Sequence, residues 1–213
     1  MKFLRPVFLF GILLIAFSWF SYSVADTRTG SIHFPGSKDS VSLKEKKAEK
    51  LQQKVQAAKQ FAHQKKFNST YCFLIDMSIP SGKDRFFIYD LQQDSIINQG
   101  LVAHGNCFEY WLEGRKYSNV VGSGCTSLGK YKIGIPYSGK FGYSYKLHGL
   151  DSSNNNAFER TVVLHSHSCI PEKEVTDEIC QSNGCPTVSP LFLQQLKMIV
   201  NTSKKPVLLW IYD

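Results

Sequence analysis

The chain lacks several features that would assign it quickly. No glycine-rich phosphate loop stands between a strand and a helix, and the basic positions have none of the aromatic interleaving of a nucleic-acid surface. Nucleotide-dependent and nucleic-acid-binding classes therefore drop out. There is no internal repeat and no low-complexity tract, which sets repeat architectures aside. His165, His167, Cys169, Cys180 and Cys185 supply ligand types that bind zinc, but their spacing fits no common structural zinc motif, and cysteine pairs oxidise rather than bind metal wherever the compartment is oxidising. No metal and no cofactor is expected. Acidic residues are also in short supply, with 17 Asp and Glu against 25 Lys and Arg and a formal charge of +8.

The N-terminus gives the compartment. Lys2 and Arg5 form a positive start, Val7 to Phe20 is largely apolar, and Ser23-Val24-Ala25 is a small-x-small cleavage site. The apolar run is short for a bilayer span of about 20 residues, and no cysteine follows it as a lipoprotein would require. A cleaved signal peptide over 1–25 is expected, with membrane contact only before cleavage. Losing Lys2 and Arg5 leaves the mature chain basic. In an exported protein that charge suits a polyanionic surface such as a cell wall, or serves solubility alone.

Residues 26–39, with Gly30, Pro35 and Gly36, read as a flexible lead. Residues 40–66 read as an amphipathic helix, because Leu43, Leu51, Val55, Ala58 and Ala62 fall at helical spacings and Ser42 can cap the start with Glu45 three residues on. Its lysine-rich face is expected to be solvated while the other face packs on the domain. From residue 67 to 213 the pattern is that of one mainly β domain with few helices. Tyr71 to Met77 and Arg85 to Leu91 flank the turn-forming Pro80 to Asp84 as a hairpin, and Ile96 to His104 adds a third strand. Short strands and tight loops are expected over Ser118 to Tyr145. A turn or short helix at Asn154 to Ala157 precedes a strand over Thr161 to His165. His167 to Asn183 has the composition of a loop over a site. A helix is predicted over Pro186 to Val200 and a closing strand over Pro206 to Tyr212.

The chemistry concentrates in two stretches, Val162-Val163-Leu164-His165-Ser166-His167 and Ser182-Asn183-Gly184-Cys185-Pro186. An apolar run ending in histidine delivers that side chain to a sheet rim, and a glycine before cysteine permits close approach. Cys185 is a candidate nucleophile, since a thiol beside a base or a helix N-terminus gains thiolate character, and His165 is the candidate base. On local context alone Cys185 fits equally well as half of a bridge to Cys180 or Cys169. His167 lies on the same side as His165 if the strand continues. Of six cysteines, a reactive Cys185 leaves five, so at least one more thiol must be free. Cys169 and Cys180, close in sequence in an oxidising compartment, are expected to bridge.

The strand-borne His165, the Ser182-x-Gly184-Cys185 quartet and the exported context resemble the L,D-transpeptidase catalytic domain, and Cys185-Pro186 is similar to its murein-transpeptidase branch. Ser118-Asn119, Gly122-Ser123, Ser127-Leu128-Gly129-x-Tyr131, Gly139 with Gly142, Leu147-x-Gly149-Leu150-Asp151, Asn156-Ala157 and Arg160 agree in order. The likeness covers most of Tyr71 to Tyr212. Cys125 departs from it, standing where serine is common, as do the two extra cysteines of the 167–181 loop. The resemblance implies a mainly β catalytic domain and a periplasmic or wall-associated cysteine acyl transferase acting on peptidoglycan stem peptides. It implies Cys185 as nucleophile, His165 as general base and the Ser166 carbonyl as the group orienting the imidazole. Ser182, Asn183 and Gly184 would shape the turn and its oxyanion-binding N–H groups, with His167 nearby. A monomer without nucleic-acid partners is expected. An L,D-carboxypeptidase of the same fold, or a disulfide-stapled wall-binding protein without catalysis, are the alternatives.

Overall fold

The computed structural model describes residues 37–213. The expected signal peptide and residues 26–36 of the lead lie outside the described residues.

Helix α1 (Ser37–Gln64) is already running at Ser42, so the cap expected there is not where the helix begins. Its end is set by Lys66, which turns into the left-handed region at φ 58°. That turn lets the Phe67 N–H reach back to the Ala62 carbonyl at 2.9 Å, a closure that satisfies an orphan carbonyl of the last turn. The spacing of Val55, Ala58 and Ala62 does what the pattern predicted: all three are buried, against Cys72, Leu74, Phe87 and Leu208 of the sheet. On the neighbouring surface Lys50 pairs with Asp76 at 3.0 Å, and the Lys54 ammonium lies 4.9 Å from the Trp210 ring centre.

The remaining elements are β1 (Tyr71–Asp76), β2 (Phe86–Asp90), β3 (Ser95–Gly100), β4 (Val102–Ala103), β5 (Gly129–Gly139), β6 (Gly142–Gly149), β7 (Val163–Ser166), β8 (Thr187–Val188), α2 (Pro190–Thr202) and β9 (Leu208–Tyr212). Among the described residues the strands form one nine-stranded sheet in the order β3-β2-β1-β9-β5-β6-β7-β8-β4. Its two edges, β3 and β4, are separated in sequence by Leu101 alone. The chain therefore steps from one edge to the other in a single residue, and the sheet must curl until its edges nearly meet, as a barrel does. Alternation along β1 serves both sides of this curl. Phe73 and Ile75 face a core shared with Tyr131, Leu147, Leu164 and the α2 residues Phe192, Leu193 and Leu196, whereas Cys72 and Leu74 lie under α1. Over the described residues the fold is thus mainly β with two helices, one outside the sheet and one packed into its curl.

Three expectations change. The single third strand divides into β3 and β4 at the closure. The 118–145 region contains a long hairpin, an 11-residue β5 against an 8-residue β6, with a bulge between Ile133 and Pro136. The helix predicted from Pro186 starts later, because Ser189 is extended (φ −70°, ψ 157°) and caps α2 by accepting the Phe192 N–H, with Pro190 in the first turn. Thr187 and Val188, both β-branched, form β8 instead.

Candidate active site

Sheet register brings the two sequence stretches together. β8 runs parallel to β7 with Thr187 opposite His165. Cys185 lies two residues before Thr187, so strand periodicity directs it to the side shared by Thr187 and His165. Both Cys185 and His165 line one cavity of about 350 Å³, with Phe141, Arg160, Ser182 and Thr187 also in its wall. The β8 strand separates Cys185 from α2, so the positive helix end expected beside the thiol is not there.

His165 is 4% exposed and its ring is held on three sides. Nδ1 lies 3.1 Å from the Ser166 carbonyl, which can only accept, so this nitrogen carries the proton. Nε2 is then the lone-pair nitrogen, and the Thr187 hydroxyl donates to it at 3.0 Å. Phe141, at the tip of the β5–β6 hairpin, stacks on the ring with centroids 4.3 Å apart and planes at 19°. Burial lowers the imidazole pKa, the Ser166 bond opposes that, and nearby His167 adds a small further lowering. His167 itself lies past the end of β7, exposed, its Nδ1 accepting the Cys169 N–H at 3.1 Å.

Cys185 is unbridged, as is the buried Cys72. Its Sγ accepts the Val163 N–H at 3.5 Å. Burial pushes the thiol pKa up, while that N–H and the Arg160 guanidinium pull it down. Cys185 and His165 therefore rest as a neutral thiol and a neutral imidazole near neutral pH, on the wall of one cavity.

The turn before Cys185 is fixed by its own hydrogen bonds. Ser182 Oγ accepts the Gly184 N–H at 3.2 Å and donates to the Cys185 carbonyl at 2.6 Å. The Ser182 N–H donates to the His104 carbonyl and its carbonyl accepts the Asn106 N–H, both at 2.8 Å. Gly184 has φ +104°, and a Cβ there would stand 2.7 Å from the Cys125 carbonyl oxygen. Only glycine fits both conditions. Asn183 is exposed on the cavity wall.

Arg160 secures the facing loop: its Nη1 donates to the Ser118 carbonyl at 2.7 Å and to Ser127 Oγ at 3.0 Å, and its Nη2 to the Cys125 carbonyl. Cys125, the departure noted in the sequence, bridges Cys107. The expected Cys169–Cys180 bridge is present, Cα atoms 6.2 Å apart. It removes two of the thiolates weighed as zinc ligands. The 167–183 segment is braced as a wall, since Glu178 pairs with Arg115 at 3.1 Å and Glu174 accepts the Asp84 N–H at 3.0 Å. Thr187 and Phe141 escaped sequence reasoning, and Arg160 entered it only as one residue of a motif series.

The sequence profile of the L,D-transpeptidase catalytic domain matches residues 42–212. No match is found among curated proteins. Among solved structures, the helical cell shape determining protein Pgp2 from Campylobacter jejuni aligns with 68% of this chain and 47% of its own at 11% identity and a TM-score of 0.46. An L,D-transpeptidase from Mycobacterium smegmatis aligns over 68% and 59% at 9% identity, TM-score 0.40. One from Xylanimonas cellulosilytica aligns over 72% and 68% at 16% identity, TM-score 0.36. The chain thus spans only about half the length of the first two of these proteins. The profile runs from α1 to the last residue of β9 and takes in both stretches that meet at the cavity, so the chain belongs to the L,D-transpeptidase catalytic domain family.

Proposed function

We propose that this protein is an exported cysteine acyl transferase acting on peptidoglycan stem peptides, with Cys185 as nucleophile and His165 as general base. The observation that carries the reading is the pairing of an unbridged Cys185 with a His165 whose Nε2 is left as the basic nitrogen, on one cavity wall. The family supports the substrate class, and the two disulfides suit an oxidising compartment.

With both groups neutral at rest, the thiol proton passes to His165 Nε2 as sulfur attacks the carbonyl carbon at the L-centre of the third stem residue. Thr187 gives up its bond to Nε2 for this step. Negative charge collects on the carbonyl oxygen, where N–H groups of the turn shaped by Ser182, Asn183 and Gly184 stabilise it. The C–N bond to the terminal D-alanine breaks, its nitrogen takes the proton from His165, and a thioester on Cys185 remains. An amine from a neighbouring stem attacks the thioester, delivers its proton to His165 and frees the thiol. Arg160 positions the 118–127 loop and offsets the cost of ionising sulfur in a buried site.

The test is D-alanine release and cross-linking from a defined tetrapeptide muropeptide. Cys185→Ala is expected to lower the rate by a thousandfold or more, on the order of what removing a covalent nucleophile costs elsewhere. A variant as fast as wild type overturns the assignment.

A further inference from the structure

The loop closed by the Cys107–Cys125 bridge displays three aromatic rings within four consecutive positions, and nothing in the acyl-transfer chemistry uses them. Phe108 is 66% exposed, Trp111 44%, and Tyr110 projects fully into solvent. Single exposed rings are ordinary on a protein surface. Here the rings are clustered and their backbone is held. The bridge fixes one side, and Leu112, next in sequence, is 2% exposed. The Gln181 carboxamide clasps Leu112 at both ends, accepting its N–H at 2.9 Å and donating to its carbonyl at 2.8 Å. Gln181 is itself part of the cavity wall that carries Cys185 and His165. The aromatic cluster therefore adjoins the rim of the candidate active site on a preorganised loop, which reduces the ordering cost of binding.

The charges around it narrow the partner. Between Cys107 and Cys125 the loop carries Glu109, Glu113, Arg115 and Lys116, two of each sign. Lys116 pairs with Glu109, and Arg115 pairs with Glu178 at 3.1 Å. The loop's formal charges cancel and both of its cations are paired, whereas an anionic bilayer is captured by uncommitted Lys and Arg beside exposed rings. A neutral ligand with flat apolar faces fits better. N-acetylated pyranose rings are of this kind: their axial C–H bonds are electron-poor and stack on the electron-rich faces of Tyr, Trp and Phe.

We propose that Phe108, Tyr110 and Trp111 form a subsite for the glycan strand of peptidoglycan, stacking on its N-acetylated sugars while the attached stem peptide enters the Cys185 cavity. This rests on the peptidoglycan reading above and extends it from the peptide to the sugar. The polymer joins the two ligands covalently, because the acyl donor at the third stem residue is tethered to its sugar by roughly 10 Å of extended chain.

Binding is measured by isothermal titration of the full chain carrying Cys185→Ala with a β-1,4-linked N-acetylglucosamine hexamer, which has neither peptide nor carboxylate. Because the probe cannot be an acyl donor and the chain lacks its thiol, the result is independent of whether Cys185 is the nucleophile. Saturable binding is expected, weakened about tenfold by the added Tyr110→Ala and Trp111→Ala changes at an unchanged melting temperature. Tyr110→Phe and Trp111→Phe are expected to restore it. No binding to the hexamer, or binding indifferent to the alanine changes, overturns the proposal. So does capture of the chain by phosphatidylglycerol vesicles that those changes abolish, without any hexamer binding, since that outcome assigns the rings to a membrane surface.

Discussion

His165 owes its basic nitrogen to a main-chain atom. The Ser166 carbonyl accepts from Nδ1, so Nε2 keeps the lone pair, shared at rest with the Thr187 hydroxyl, and no carboxylate is needed to set the tautomer. The pH dependence follows from burial. A histidine whose folded pKa is depressed stays neutral, and so stays a base, to lower pH than usual; burial depresses His165 below its ordinary 6.5. The acid limb of kcat/KM for D-alanine release is therefore expected to fall with a midpoint under 6.5, and a pH-rate profile with its midpoint above that value contradicts the assignment. Cys185, His165 and Ser166 were legible as candidates because a glycine-flanked cysteine and a strand ending in histidine are local signals, and the structure brings Cys185 and His165 to one cavity wall. Thr187 was not, since its partnership with His165 exists only through the parallel register of β7 and β8. Phe141 was hidden for a similar reason, being a hairpin tip folded over a residue distant in sequence.

At the scale of elements, the segment from Ser182 to α2 shows where periodicity misleads. Apolar spacing alone ran the predicted helix back to Pro186, but Ser189-Pro190 held the stop signal, since the residue before proline avoids helical backbone and serine caps well. The two residues thereby kept extended are β8, the strand that gives Cys185 its facing. The preceding turn depends on Gly184. Alanine there meets a backbone conformation that costs about 1–3 kcal/mol for a residue with a side chain, and its Cβ would also press on the Cys125 carbonyl. Gly184→Ala is expected to lower the melting temperature by roughly 5 °C or more and to displace Cys185. An unchanged thermal melt contradicts this account of the turn. Gly149 illustrates the same logic in a quoted motif: a Cβ there would overlap the Asn154 carbonyl oxygen at 1.8 Å. The motif's order was readable in the sequence, whereas its steric reason required the backbone of the following turn.

Across the whole molecule, composition and cysteine arithmetic were informative and strand order was not. An unbridged Cys185 among six cysteines required a second free one, and that is Cys72, sealed beneath α1. The hairpin of β1 and β2 was visible as two β-prone runs around a turn. The parallel insertion of β9 beside β1, and the pairing of β4 with β8 that brings the two sheet edges near each other, are long-range pairings that no local pattern encodes. They matter because one curled scaffold holds the braced 167–183 wall, the β5–β6 hairpin tip and the β7–β8 pair around the cavity that Cys185 and His165 line. The most direct measurement is the intact mass of the protein, quenched in acid during turnover of a disaccharide tetrapeptide in a preparation that releases D-alanine. The account predicts a gain equal to the donor less D-alanine, labile to hydroxylamine and mapped to the peptide containing Cys185. Turnover without such an adduct, or an adduct on another residue, would contradict it.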